Sequence, residues 1–305
     1  MHGKVTVVGA GQVGITTAAR LAGTGQPLEI VVVDILPGLA AGLALDLRHA
    51  GALAGYDPAL ITGTEDYALM EASDVVVVAA GSPRRPEISR DDLLSINRGI
   101  VRQVAQAISR HAPDAIVVIV TNPVEPLCHE ALNVLQCPER IIGLSGALDS
   151  ARFAFAIAEQ AGVSTREISA MVLGRHGDSA VPIASRATIG GRPLRELLSD
   201  QQIEAAVRHA RFGSSEVLRL IPAGSTYWAP AAAVELMVRA ILDSTREQLP
   251  CTALCTGEYG IDGLFIGVPV RLGANGIQQI AELEIARTEL RALQASAAEV
   301  RPLLG

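Results

Sequence analysis

The sequence predicts an α/β protein in which a doubly wound parallel sheet, residues 1–145, precedes an α+β domain, residues 146–305. In the first part, six short apolar runs alternate with helical or loop segments, which is the pattern of βαβ units with right-handed crossovers. The run 75–80 is apolar throughout, as expected for a strand buried on both faces of a parallel sheet. Beyond about residue 147 this alternation stops, which indicates a second domain of mixed helices and strands.

Strands of the first part are predicted where Val and Ile concentrate, at 5–8, 30–33, 60–63, 75–80, 115–120 and 141–143. Helices are predicted where Ala and Leu recur at helical spacing, at 15–21, 38–47 and 93–111, with a further helix before residue 141. In the second part we expect helices at 149–161, 201–220, 231–242 and 285–300. Strands are expected there at 168–173, 181–189 and 264–272.

Composition excludes several classes of protein. The chain has 305 residues, of which 49% are hydrophobic and only 3% aromatic, so a large core must be built from aliphatic side chains. A net charge of −7 without a basic stripe argues against nucleic acid or an anionic membrane as the main partner. The first strand begins almost at the N-terminus and no apolar run reaches membrane-span length, so a cytoplasmic location is expected. The four cysteines lack metal or redox spacing, which favours reduced thiols.

A glycine-rich turn follows the first predicted strand and opens the first predicted helix. The turn has G-x-G-x-x-G spacing and consists of Gly9, Ala10, Gly11, Gln12, Val13 and Gly14. Gly9 permits the tight turn, Gly11 leaves room for a pyrophosphate, and Gly14 allows the helix to lie close to the strand. The helix N-terminus adds backbone N–H donors and a positive dipole end. This strand-turn-helix context predicts a Rossmann-type dinucleotide site.

Asp34 ends the second predicted strand, 20 residues beyond Gly14, where the acid of such motifs accepts hydrogen bonds from ribose hydroxyls. A carboxylate there repels a 2′-phosphate. The residues that follow, Ile35, Leu36 and Pro37, offer no cation to hold one. The expected cofactor is therefore NAD and not NADP.

Charged and amide side chains follow the later strands and start the second part. Each has an ordinary structural explanation when taken alone: Arg84 and Arg85 as a solvated turn, Asn122 as a turn initiator, Asp149 and Arg152 as a surface ion pair, and His176 as a loop histidine. Taken together, the segments 9–14, 80–97, 121–123, 148–153, 174–178 and 224–233 resemble the lactate/malate dehydrogenase superfamily. The resemblance covers nearly the whole chain and is strongest to bacterial malate dehydrogenases of lactate-dehydrogenase-like shape.

The resemblance implies a role for each of these residues. His176 would be the proton donor and acceptor, and Asp149 its carboxylate partner. Arg152 would bind the substrate C1 carboxylate through a two-pronged fork. Arg90 would polarise the reacting carbonyl when a loop from residue 81 to residue 90 closes as a lid. The remaining implied contacts are Asn122 with both substrate and cofactor, and Asn97, Val120 and Thr121 with the cofactor.

Arg84 selects the substrate by the same resemblance, because superfamily members with an uncharged residue there act on lactate-type substrates. Arginine pairs with the distal carboxylate of malate or oxaloacetate, and charge alone does not distinguish Arg84 from Arg85. We therefore expect NAD-dependent, reversible oxidation of (S)-malate to oxaloacetate without a metal, as in the tricarboxylic acid cycle. The alternatives are a dehydrogenase of another 2-hydroxy acid such as lactate, or a catalytically silent NAD-binding sensor.

Two positions depart from the superfamily pattern. Glu87 stands where a glycine is usual in the lid, which predicts weaker lid closure. Thr226 stands where malate enzymes often carry Ala or Ser and lactate enzymes a threonine. The resemblance also implies a homodimer or homotetramer, with the Ala/Leu-rich helices beginning near residues 38 and 231 as candidate interfaces.

Overall fold

The structure is a computed structural model that describes residues 3–57, 60–82, 90–221, 226–245 and 247–304. It divides into two compact units, and each is continuous in space but not in sequence. The first comprises residues 1–143, 227–247 and 272–278, and the second comprises 144–226, 248–271 and 279–305. The predicted division after residue 145 stays a prediction of domain organisation.

The first unit contains the doubly wound sheet. Its strands are β1 (Gly3–Val8), β2 (Leu28–Val33), β3 (Ile61–Thr64), β4 (Val75–Val78), β5 (Ile116–Ile119) and β6 (Ile141–Gly143). They are parallel, in the order β6-β5-β4-β1-β2-β3, with Val5 opposite both Ile30 and Val75. The order reverses direction between β1 and β4, so the carboxyl ends of these two strands form the switch point where such sheets bind ligands.

Helices α1 (Gln12–Ala22), α2 (Leu39–Ala54), α3 (Arg90–His111) and α4 (Val124–Leu135) connect these strands. Helix α2 ends seven residues later than predicted, because Gly51 does not end it. A Cβ on Gly51 would lie 2.8 Å from the ring of Tyr56, whose hydroxyl donates to the Leu47 carbonyl at 2.7 Å. The glycine therefore serves close packing inside the helix and does not mark a loop.

The second unit mixes helices with short strands. Its helices are α5 (Gly146–Ala161), α6 (Asp200–Leu220) and α8 (Arg287–Ala298). Its short strands are β7 (Ile168–Ser169), β8 (Val172–Leu173), β9 (Val181–Pro182), β10 (Thr188–Ile189) and β11 (Arg192–Pro193). A core of buried side chains from α5 and α6, centred on Phe153 and Ile157, packs beneath these strands.

Two single strands predicted in this unit are wrong, because each is two short strands. In the run 181–189, Pro182 lacks the N–H that a ladder needs, and a turn at 184–186 follows it. In the run 168–173, β7 pairs with β10 whereas β8 pairs with β9. The chain changes partner within six residues, which hydrophobicity alone does not reveal.

Three further strands were not predicted as complete elements: β12 (Gln248–Thr256), β13 (Asp262–Gly273), whose ends extend the expected run, and β14 (Gly276–Ile280). Pro250 in β12 faces Pro269 in the antiparallel partner β13. A proline inside a run argues against a central strand, so β12 lacks the usual sequence signal. Helix α7 (Trp228–Leu242) belongs to the first unit, where Glu235 pairs with Arg20 of α1 at 2.7 Å.

All four cysteines are free thiols, as expected, and Cys128, Cys251 and Cys255 are buried. Burial raises the pKa of Cys251 to about 12 and, with help from nearby Glu258 and Glu282, that of Cys255 to about 12. These thiols therefore stay protonated and unreactive at neutral pH. Within the described ranges, no helix combines the length and apolar character needed to cross a membrane.

Candidate functional site

Two of the three glycines in the turn between β1 and α1 have no room for a side chain. Gly9 has a φ of +102°, and a Cβ there would lie 2.5 Å from the Ala80 nitrogen. A Cβ on Gly14 would lie 1.8 Å from the Gly9 carbonyl oxygen. These two glycines are therefore required by the packing of the turn against β4 and by the turn itself.

Gly11 is different, because an added Cβ there would meet no described atom within 4 Å. Gly11 is the N-cap of α1, so it offers no side-chain cap, and the first turn of α1 carries no acidic residue. The backbone N–H groups at this helix end, together with the dipole, are suited to a pyrophosphate. An open glycine before an uncapped helix is therefore what a bound dinucleotide would require.

Asp34 follows β2 and is joined to this turn. Its Oδ2 accepts a hydrogen bond from the Ala10 N–H at 2.7 Å, and its Oδ1 accepts one from the Leu36 N–H at 2.9 Å. Each carboxylate oxygen has further lone pairs, so both can still accept from ribose hydroxyls. Burial, and secondarily the charge of Asp34, raises the pKa of the neighbouring Tyr67. The acid thus both braces the glycine turn and presents negative charge to a ribose.

The carboxyl end of β5 carries the predicted residues Val120, Thr121 and Asn122. The Thr121 hydroxyl donates to the carbonyls of Ala80 at 2.7 Å and Val78 at 3.1 Å, which ties the ends of β4 and β5 together. Val120 and Thr121 are buried, whereas Asn122 is exposed. The structure therefore leaves the Asn122 side chain accessible at the ligand edge of the sheet.

Asn97 lies on α3 and is 1% exposed. Its Oδ1 accepts from the Ser82 N–H at 2.8 Å, and its Nδ2 donates to the Asn122 carbonyl at 2.7 Å. The amide therefore links a residue at the start of the predicted lid with the candidate substrate ligand. Sequence reasoning did not anticipate this bracing, and the predicted contact of Asn97 with the cofactor stays a prediction.

In the second unit, Asp149 joins the two other predicted catalytic residues. Its Oδ2 lies 2.8 Å from Nδ1 of His176, and its Oδ1 accepts from Nη1 of Arg152 at 2.9 Å. The Asp149 side chain is 3% exposed, compared with 15% for Arg152 and 17% for His176. A buried carboxylate thus holds an imidazole and a guanidinium that both reach solvent. The two residues are three apart on α5, a spacing that places them on one face of the helix and allows this arrangement.

A further contact, which the sequence did not indicate, holds the helix that carries Asp149 and Arg152. Ser150, between Asp149 and Arg152, accepts a hydrogen bond from the Val172 N–H at 2.8 Å, so α5 is joined directly to β8. His176 follows β8 in a short loop. Serine within a helix carries no signal for such a role, because its hydroxyl usually contacts its own helix or solvent.

Arg175, which immediately precedes His176, is half-buried, and its Nη1 lies 3.3 Å from Glu299. Thr226, one of the two departures from the superfamily pattern, is half-buried. Arg84, Arg85 and Glu87 lie outside the described residues. Arg90 begins α3, and the position of its side chain also lies outside that description.

Where the structure describes the chain, no group of three His, Cys, Asp or Glu side chains could hold a metal ion. The expectation of a metal-free reaction stays a prediction. The candidate site thus has two groups of residues. A glycine turn with Asp34 is suited to the cofactor, and Asp149, His176 and Arg152 are suited to the chemistry.

Both parts of the chain match models of one protein family. Residues 3–144 match the model for the lactate/malate dehydrogenase NAD binding domain, and residues 146–303 match that for its alpha/beta C-terminal domain. A malate dehydrogenase of Thermomicrobium roseum is 44% identical over 305 residues, covering 100% of this chain and 98% of that protein. The predicted NAD cofactor and α/β fold are thereby confirmed.

Two solved structures have nearly the same fold. Malate dehydrogenase of Cryptosporidium parvum matches with a TM-score of 0.95 and 35% identity, covering 100% of this chain and 98% of that one. Lactate dehydrogenase of the same organism, complexed with lactic acid and nicotinamide adenine dinucleotide, matches with a TM-score of 0.94 and 35% identity, covering 100% and 97%. Because these models and relatives span both units, the chain belongs to the lactate/malate dehydrogenase family.

Proposed function

We propose that this chain is an NAD-dependent malate dehydrogenase, which interconverts (S)-malate and oxaloacetate. The observation that carries the proposal is the buried Asp149 carboxylate, which holds the His176 imidazole at 2.8 Å and the Arg152 guanidinium at 2.9 Å. A protein that only bound NAD would need no such acid-base pair. The curated relatives named malate dehydrogenase, at 40 to 44% identity, support the same activity.

His176 moves the proton in this scheme. An ionised carboxylate only accepts hydrogen bonds, so Nδ1 carries the hydrogen toward Asp149 and Nε2 of the neutral ring carries the lone pair. Nε2 takes the proton from the malate C2 hydroxyl during oxidation and returns it to the carbonyl oxygen during reduction. Asp149 stabilises the imidazolium that forms. Bound NAD supplies the hydride acceptor, and NADH supplies the donor in the reverse direction.

Arg152 binds the C1 carboxylate of the substrate. Among the described residues, Asp149 engages one of the five N–H groups of Arg152, which leaves others for a two-pronged contact with a carboxylate. Asp149 therefore fixes the guanidinium and the imidazole relative to each other. We assign Arg90 to the reacting carbonyl and Asn122 to a hydrogen bond with the substrate. The residues assigned to NAD are 9–14, 34, 97 and 120–122.

The overall fold does not choose the substrate, because the malate and lactate dehydrogenases of Cryptosporidium parvum match this chain at the same 35% identity. The choice therefore depends on single residues. We assign it to Arg84, whose guanidinium would pair with the distal carboxylate of a four-carbon dicarboxylate. With pyruvate that cation would lack its partner, and an unpaired buried charge is strongly unfavourable.

A steady-state assay of NADH absorbance tests this. The wild type should reduce oxaloacetate with a kcat/KM at least about a hundredfold above that for pyruvate, because a desolvated ion pair missing from one substrate contributes several kcal/mol. Arg84→Gln should lower kcat/KM for oxaloacetate about a hundredfold. Arg85→Gln, its matched control, should change it by less than about threefold, as for a solvated cation.

A wild type that prefers pyruvate would contradict the substrate assignment. If Arg84→Gln and Arg85→Gln lost the same kcat/KM for oxaloacetate, Arg84 would have no special role in choosing the substrate, and that assignment would be wrong. Cytoplasmic location, a homodimer or homotetramer, action in the tricarboxylic acid cycle, and a domain boundary at residue 145 belong to the same proposal. Size-exclusion chromatography with light scattering tests the assembly.

A further inference from the structure

The loop that carries His176, residues 174–177, is held by its backbone from one side. The Gly174 N–H donates to the Gly267 carbonyl at 2.8 Å, and the Gly267 N–H donates back to the Gly174 carbonyl at 3.2 Å. A Cβ on Gly267 would lie 2.4 Å from the Gly174 carbonyl oxygen, so the two backbone segments are in direct contact. Strand β13 thus fixes the start of the loop.

Helix α8 holds the loop from another side through Ser296. The Ser296 Oγ accepts a hydrogen bond from the Arg175 N–H at 2.9 Å, across 121 residues of sequence, and the serine is 2% exposed. A Cβ on Gly174 would lie 2.9 Å from the same Oγ. Three residues further along, at the end of α8, Glu299 pairs with the Arg175 side chain at 3.3 Å.

We propose that Ser296 is a positioning residue that keeps His176 in register with Asp149. This inference rests on the proposed function. Arg175 immediately precedes His176, so any shift of the Arg175 peptide moves the His176 backbone. The ring is meanwhile held to Asp149 at 2.8 Å. Displacement of about 1 Å at a reacting group can cost on the order of a hundredfold in rate, so a buried hydroxyl at the adjacent peptide affects turnover directly.

The competing explanation is that Ser296 only stabilises α8. The chain supplies a control for this, because the same helix has a second serine tether that does not involve the catalytic loop. The Ser185 N–H donates to Oε1 of Glu289 at 2.9 Å, and the Ser185 hydroxyl donates to Oε2 of that residue. Ser185→Ala therefore weakens the attachment of α8 and leaves the contact between Ser296 and Arg175 intact.

The experiment compares wild type, Ser296→Cys, Ser296→Ala and Ser185→Ala in malate oxidation, with the thermal midpoint measured for each. Cysteine differs from serine by one atom, leaves no cavity and is a weaker hydrogen-bond acceptor, so Ser296→Cys should fold. We expect both Ser296 variants to lower kcat about tenfold, with KM for malate and NAD within about twofold of wild type, because the carboxylate ligands do not change. Ser185→Ala should keep kcat within about twofold of wild type.

A Ser296→Cys enzyme with the wild-type kcat would overturn the inference. So would a loss of kcat in Ser185→Ala as large as that in the Ser296 variants, since α8 stability would then explain both. Failure of the proposed function gives a different result: the wild type would bind NADH and fail to oxidise malate, and the inference would fall with it.

Discussion

The proposed cofactor-binding residues of the first unit and the proposed catalytic residues of the second unit are positioned in different ways. The cofactor half comprises residues 9–14 and Asp34. The turn at 9–14 presents backbone N–H groups, which are accessible because glycine has no side chain, and Asp34 accepts a hydrogen bond from the Ala10 N–H. The catalytic half is a set of side chains from separate segments, with His176 and Asp149 27 residues apart and Ser296 121 residues from Arg175. Adding atoms to the glycine turn should therefore impair the cofactor half, whereas removing side-chain atoms should impair the catalytic half.

Removing the imidazole should have the largest effect. His176→Asn keeps a polar side chain of similar size and loses the group that takes the substrate proton, so kcat should fall about a thousandfold, within the usual range for general acid-base catalysis. Because the glycine turn lies in the first unit, the dissociation constant for NADH should stay within about twofold of wild type. Steady-state turnover and NADH fluorescence titration measure the two quantities.

His209→Asn is the matched control, since it removes a second histidine from the same unit. Its ring packs beside Phe155, with the ring centroids 5.9 Å apart, and belongs to α6. Its turnover should stay within about threefold of wild type, as for most substitutions away from a site. Retention of wild-type turnover by His176→Asn would remove the assigned mechanism.

Adding one methyl group to the glycine turn should have the next largest effect, and two glycines should respond differently. In Gly14→Ala the new Cβ would lie 1.8 Å from the Gly9 carbonyl oxygen, so the turn must move at a cost of about 1–3 kcal/mol or more. In Gly11→Ala nothing described lies within 4 Å. The fold should therefore be kept while NADH affinity falls about tenfold, as the methyl group meets the pyrophosphate.

Urea unfolding without cofactor and NADH titration distinguish the two variants. Gly14→Ala should lose both stability and affinity, whereas Gly11→Ala should lose affinity alone. Unfolding curves that coincide for the two variants would contradict the assignment of separate roles to these glycines.

The same contrast explains how much the sequence could predict. In the first unit, each of the six strands begins and ends within two residues of its predicted bounds, because continuous Val and Ile runs separated by turns specify buried parallel strands. The glycine turn and Asp34 were found for the same reason: the motif and its structural context are local. The error in α2 arose at Gly51, whose partner Tyr56 was visible in the sequence but whose packing was not.

The second unit depends on contacts between distant segments, and local patterns failed there. Strand β12 contains Pro250 opposite Pro269, and no hydrophobic pattern in the sequence predicts that pairing. His176, Asp149 and Arg152 were found through their resemblance to a family, since each had an ordinary alternative explanation. Ser150 and Ser296, which hold the trio in place, carried no signal, because a serine hydroxyl facing a backbone N–H is specified only by the tertiary fold.

The smallest predicted effect tests whether acid destabilises the first unit through a half-buried histidine. Burial lowers the pKa of His129, on α4, from 6.5 to about 4. Between these values the unfolded chain binds a proton that the folded chain does not, so stability is complete above about pH 6.5 and decreases as the pH falls toward 4. Because the ring is partly exposed, solvent screening reduces the effect to on the order of 1 kcal/mol.

Urea unfolding at pH 7 and at pH 5 should therefore show a smaller loss of stability on acidification in His129→Gln than in wild type. His49→Gln removes an exposed imidazole from α2 of the same unit and is the control for the loss of a histidine. Carboxylates that titrate below pH 5 act in all three proteins and cancel in the comparison. If wild type and His129→Gln lose the same free energy of unfolding between the two pH values, burial of His129 does not limit the acid stability of the first unit.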